Sequence, residues 1–278
     1  MALNDNAPYR GTVQYCMDHN AGTPQAFGLV RGGGYVINPH IGLYTGIGGQ
    51  ARAEGGVVES RVRAVCVEPL KSWISGALRA TVTNVVPAKT LVFGNSDQEW
   101  TLAGCQPDLM KVSWAVGEPL MVEWEWLGLT PTQSEVGDTQ EAVSGGITDA
   151  WSAADVLIAA ADYDCQRFAC VVKNGAAYHS SLDLRSEGAR RLPVAIRLGR
   201  PQLEVLFECR RQIPAATLGL VADSIVTDLG ASVAATGVTF AFTNLHCAEE
   251  PSKFEDDEGF VSWRYRFGSH AWAPLAVS

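Results

Sequence analysis

The second half of this chain carries a faint echo of the first, and the spacing of that echo constrains the fold more than any other feature. Phe27, Gly28, Leu29 and Val30 return as Phe168, Ala169, Cys170 and Val171, 141 residues later. Leu120, Val122, Trp124 and Trp126 return as Val261, Trp263, Tyr265 and Phe267, again at 141. Gly49 and Arg52 have echoes in Gly188 and Arg191 at 139, and Cys105 in Cys247 at 142. Such an offset in 278 residues predicts one β-rich unit used twice, not a solenoid of short repeats. The alternating set weighs most. Neighbouring side chains of a strand point to opposite faces, so a slip of one residue lays an apolar face on a polar one. At 141 the apolar faces coincide; at 140, which superposes Gly128 on Gly268, they do not.

Most segments read as strand. Alternation or short apolar runs mark 26–37, 57–67, 79–86, 89–93, 98–103, 111–116 and 120–127 in the first half. In the second half they mark 165–172, 192–198, 202–209, 238–245 and 260–267, while 154–163 fits helix or strand. Gly117-Glu118-Pro119 and Gly199-Arg200-Pro201 read as turns. One short helix is expected in each half. The first runs over 68–78 from Pro69, with Leu70, Trp73, Ile74 and Ala77 on one stripe; the second runs over 215–229. Residues 1–25 read as a polar arm, 38–56 as a long glycine-rich loop or hairpin, and 131–149 as a linker. Strands in bulk without regular strand–helix alternation favour tandem antiparallel sandwiches or barrels over a parallel sheet. The expected units are 1–130 and 150–278.

Composition removes several function classes. Hydrophobic residues make up 47% and charged ones 18%, as in an ordinary globular protein, and the length suffices for a buried core. The net charge is −9, and neither half is basic: 9 Lys+Arg stand against 13 Asp+Glu in 1–139, and 12 against 17 in the remainder. Ordinary nucleic-acid binding, which needs bases to neutralise phosphates, is not expected. No signal peptide or apolar span of about 18 residues is visible, and seven cysteines show no disulfide framework. They read as small buried hydrophobes of a protein made in a reducing cytoplasm.

No catalytic, cofactor or metal site emerges. His19, His40, His179, His246 and His270 are scattered, and His246-Cys247 would point to opposite strand faces. Cys165 and Cys170 lack the second pair of a zinc site. Gly46-Ile47-Gly48-Gly49 lacks the helix and acid of a dinucleotide fingerprint, and 255–258 lacks calcium-loop spacing. Glu123 and Glu125 share a strand face, as a glycosidase pair would, but they also read simply as the polar side of a strand.

Three segments together resemble a phage major tail tube protein of the larger, two-part kind. The first is 104–128, with Gly104-Cys105 opening, two alternating strands and a closing Leu127-Gly128. The second is 164–175, a strand that ends in Asn174 before a long loop. The third runs from 237–245 through the acidic loop 255–259 to 260–267. The resemblance implies sandwich-like domains that join sheets edge to edge in a ring, with rings stacked into a hollow tube. Two domains per chain imply pseudo-hexameric rings of three subunits; rings of six remain the alternative if the repeat is spurious. The implied partners are further copies of the chain, tape-measure, tail-terminator and tail-tip proteins, and genomic DNA passing through the lumen. The implied location is the virion tail, with no enzyme activity and no membrane.

Two expectations follow from that likeness. Residues 38–56 would be a ring-stacking loop. The lumen would be acidic, with Glu59, Glu123, Glu125 and Glu204 as candidates, so that it repels phosphate. The competing class is a β-sandwich ligand- or glycan-binding module with Trp100, Trp114, Trp124 or Trp126 as stacking platforms; a hydrolase comes third.

Overall fold

The computed structural model describes residues 9–19, 25–38, 59–76, 86–134, 146–148, 155–179, 195–219, 228–235, 237–249, 251–255, 261–269, 271 and 274–278, with backbone alone at 41–45 and 51–55. The protein is mainly β, and every strand pair among the described residues is antiparallel. Among the described residues the single helix is α1 (Lys71–Gly76), and no helix is long and apolar enough to cross a membrane.

Nine strands form one continuous run. Its order is β1 (Tyr9–Thr12), β4 (Leu29–Asn38), β7 (Glu59–Val67), β10 (Met121–Gly128), β9 (Glu99–Ala115), β14 (Cys165–Lys173), β17 (Gln202–Cys209), β21 (Val261–Ser269) and β20 (Ser252–Glu255). The sequence dictates its two faces. In β7, Ser60, Val62, Ala64 and Cys66 are buried while Glu59, Arg61 and Arg63 are exposed, and β17 alternates likewise. Period-two patterning commits one face to a core and the other to water.

Two shorter runs cover the apolar face. In the first half, β3 (Gln25–Ala26), β2 (Tyr15–Asp18), β8 (Lys89–Gly94), the beginning of β9 and β11 (Thr130–Ser134) lie side by side. In the second, β13 (Ala161–Asp162), β12 (Asp155–Ile158), β18 (Leu229–Ala235), the beginning of β19 (Val238–Cys247) and β22 (Leu275–Val277) do the same. Rings meet across the layers: Tyr35 lies 5.4 Å from Phe93 and 5.8 Å from Trp100, and Phe168 lies 5.6 Å from Phe240. Each such side chain contributes roughly 1.5–3 kcal/mol by leaving water.

The two halves share one pairing scheme. β4–β7–β10–β9–β8–β2 in the first half matches β14–β17–β21–β19–β18–β12 in the second, pair for pair. β9–β11 and β2–β3 match β19–β22 and β12–β13. Irregularities recur too. A bulge follows the Val30/Cys66 pair in the first half and the Cys165/Cys209 pair in the second. Another follows Lys89/Cys105 and Leu229/Leu245. Bulges are specific features of a ladder, so their coincidence aligns the halves residue by residue. On that alignment Trp126 and Phe267 are counterparts, both buried. The other echoes fail. Phe27 precedes β4 whereas Phe168 sits within β14, and the counterpart of Cys105 is Leu245, not Cys247. Gly49, Gly188 and Arg191 lie outside the described residues.

Several expectations are corrected. The N-terminal arm holds two strands, and all four residues of β2 are buried, because Tyr15, Cys16 and Met17 pack in the core and Asp18 pairs with Lys89 at 3.0 Å. The predicted strands 98–103 and 111–116 are one strand, β9, which bends at Gly104 (φ 67°) and passes from the short run to the long one. The second predicted helix is absent where described: 215–219 form turns, Leu229 opens β18, and 220–227 lie outside the described residues. The linker begins as strand β11, and its Ile147 is buried with its N–H bonded to the Pro69 carbonyl. Of the loop or hairpin expected over 38–56, the hairpin is what forms, β5 (Ile41–Thr45) with β6 (Ala51–Gly55). Cys165 and Cys209 form a disulfide, which overturns the reading of all seven cysteines as thiols.

Candidate functional surface

The seam where the halves meet is a full strand pairing. The second part of β9 lies against β14 with Leu109 opposite Lys173, Lys111 opposite Val171, Ser113 opposite Ala169 and Ala115 opposite Arg167. Side chains fasten it. Asn174, buried at the end of β14, donates from Nδ2 to the Pro107 carbonyl (3.0 Å), and its backbone N–H reaches the Asp108 carbonyl. Asp108 Oδ1 accepts from the Ala176 N–H at 2.8 Å. Tyr178, in β15 (Ala177–His179), crosses to β7, where its hydroxyl accepts from the Ser60 N–H and donates to the Ser60 carbonyl. Burial, the largest influence, pushes that phenol up to about 12, so it keeps the proton it donates. The hairpin of β15 with β16 (Ala195–Arg197) extends β14–β17 as β5–β6 extends β4–β7.

The water-facing side of the long run is densely charged. Arg10, Arg61, Arg63, Lys111, Arg167, Lys173, Arg264 and Arg266 stand on it with Glu59, Glu123, Glu125, Glu204 and Glu208, as the registers place them. Arg61 pairs with Glu125, Arg63 with Glu123 at 2.5 Å, Lys173 with Glu204 at 3.5 Å and Arg264 with Glu208 at 2.8 Å. The hydrogen bond and charge of Glu123 push the Arg63 pKa up. A depression of about 310 Å³ crosses the seam on this face, lined by Lys111, Arg167, Glu204, Glu208, Arg264 and Arg266. Among the described residues, Lys111 and Arg167 are in no ion pair.

All four acids expected on a lumen wall, Glu59, Glu123, Glu125 and Glu204, are on this one face. Among the described residues of this face, Arg and Lys outnumber Asp and Glu. Alternation placed the acids correctly; the cross-strand bases became visible only once register was known. Glu123 and Glu125 are held in ion pairs, not poised as an acid pair. Trp100, Trp114, Trp124 and Trp126 are fully buried, so none offers a ring to a sugar. No group of three or more His, Cys, Asp or Glu among the described residues is arranged to hold a metal. Of the residues that fasten the seam, Asn174 was legible as the end of its strand; Asp108 and Tyr178 carried no signal.

No family model matches the chain, and no curated protein matches it.

Proposed function

We propose that the protein is a structural subunit that joins copies of itself edge to edge into rings, and that stacked rings make the tube of a phage tail or a related injection device. The observation that carries this reading is the seam between β9 and β14. Two units with one strand-pairing scheme, side by side in one chain, already share a continuous sheet. Repeating that seam between chains closes a ring, with the charged face as its inner wall and three copies supplying six units. In this reading the two units are the tail-tube-like domains that the resemblance implies. The wall carries both signs of charge, and ion pairs offset much of its excess of Arg and Lys, which weakens the field that would hold a polyanion in transit. The β5–β6 and β15–β16 hairpins extend from the same side of the two units and are the ring-stacking elements in this reading. Burial of all four candidate tryptophans counts against a glycan-binding module.

Negative-stain microscopy of the concentrated protein tests this. Rings or tubes are the expected result; compact single particles at every concentration would refute it.

A further inference from the structure

Building on the self-assembly reading, we propose that β1 is a guard strand. It occupies the edge of β4 on which ring closure depends, and β20 of a neighbouring copy replaces it.

The argument starts from the seam. β4 is the first-half counterpart of β14, fixed by the bulges after Val30/Cys66 and Cys165/Cys209. Carrying that alignment along the strand makes Val36 the counterpart of Val171 and Gly34 that of Ala169. At the seam, Val171 faces Lys111 and Ala169 faces Ser113. In the first half, Val36 faces Arg10 and Gly34 faces Thr12. β1 therefore puts Arg where β9 puts Lys, and Thr where β9 puts Ser, in the same antiparallel sense. It imitates a strand from an adjoining unit.

The other end of the run supplies the strand that is imitated. β20 lies against β21 with Ser252 opposite Arg264, as Lys111 of β9 lies opposite Glu123 of β10. Among the described residues nothing pairs with the outer edge of β20, whereas the equivalent edge of β9 is covered by β14. An uncovered edge is a template for another chain. Seated on β4 in seam register, β20 places Ser252 opposite Val36 and Phe254 opposite Gly34. Gly34 has no side chain to oppose that ring, and the neighbour within 4 Å that a Cβ on Gly34 would meet is the Gly11 carbonyl of β1, which leaves with the guard. With β1 in place, the junction between chains would contain one strand more than the junction within the chain, and the six units would not be equivalent. β1 is four residues long, includes Gly11 and has one strand neighbour. A short edge segment with few contacts opens at low cost.

An Arg10→Cys, Val36→Cys variant of the full chain tests this by locking β1 onto β4. Sedimentation velocity and negative stain would follow assembly after treatment with oxidised glutathione and again after reduction, beside the unmodified chain under both conditions. The locked form should stay monomeric and assemble once reduced. A chain lacking residues 1–12 should assemble at a concentration about tenfold lower, since removing the guard enlarges the competent population. If the locked form assembles as readily as the reduced one, β1 stays in place and the guard is refuted while self-assembly stands. If none of these forms assembles, the truncated chain included, both readings fall.

Discussion

The two halves run the same strand scheme around differently filled cores. Where the first half places Trp100, Trp124 and Trp126, the second places Phe240, Tyr265 and Phe267. Phe27 gathers Trp73, Trp124 and Trp126 around it, with centroids 4.1, 5.5 and 5.8 Å away. Phe168 gathers Phe207, Phe240 and Phe242 at 5.6 to 5.7 Å. The indoles fill more volume but bring polar atoms inside: the N–H groups of Trp73, Trp124 and Trp126 have no hydrogen-bond partner. A phenyl ring has no such group to satisfy. The pairing scheme is thus set by register, bulges and alternation, and the core tolerates either filling provided the volume is met.

The largest effects should come from emptying matched positions. Trp126→Ala and Phe267→Ala should each lose about 3–5 kcal/mol in urea unfolding, through lost burial and a residual cavity. Closely similar losses would support equivalence; a silent change at one position would break it. Next is the bridge that only the second half has. Replacing Cys165 and Cys209 by alanine should cost about 2–4 kcal/mol. The matching pair in the first half is Val30 with Cys66, so Val30→Cys should form a new bridge to Cys66, detectable by mass after alkylation. An exchange of ring types should be unequal. Phe267→Trp should lose about 1–3 kcal/mol by overpacking, and it would also bury an N–H. Trp126→Phe should lose less, because it removes an unpaired one. The smallest effect concerns the seam. Tyr178→Phe removes two hydrogen bonds to Ser60 and should cost about 1 kcal/mol.

Tyr178 also carries a pH signature. Its folded pKa is raised from 10.0 to about 12, so between those values the folded state holds a proton that the unfolded chain has released. The stability it contributes is whole below pH 10.0 and is lost as pH rises toward 12. Thermal melts across that window should show a shallower alkaline decline for Tyr178→Phe than for the unmodified chain.

Much of this was legible because β7, β10, β17 and β21 alternate cleanly, and alternation reports face as well as element. What stayed hidden has identifiable causes. Offsets between counterparts run from 135 for Val30 and Cys165 to 143 for Cys66 and Cys209, so no single shift aligns the halves. β9 hides its continuity because Gly104 and Pro107 lie between its two alternating stretches, where the strand bends and changes partners. The β12–β13 turn uses Ala159 and Ala160 at φ 50° and 62°, where glycine or asparagine would have announced it. The candidate surface was legible only by half. Its acids follow from alternation, but the pairing of Arg61 and Arg63 with Glu125 and Glu123 depends on register between strands some 60 residues apart.

Counting the copies in the smallest assembled ring tests the central claim most directly. Native mass spectrometry of assembled material should give three copies of the 29.8 kDa chain, with six lobes in unsymmetrised projection images. Rings of six chains, or open polymers that never close, would contradict the equivalence of the seam within the chain and the seam between chains.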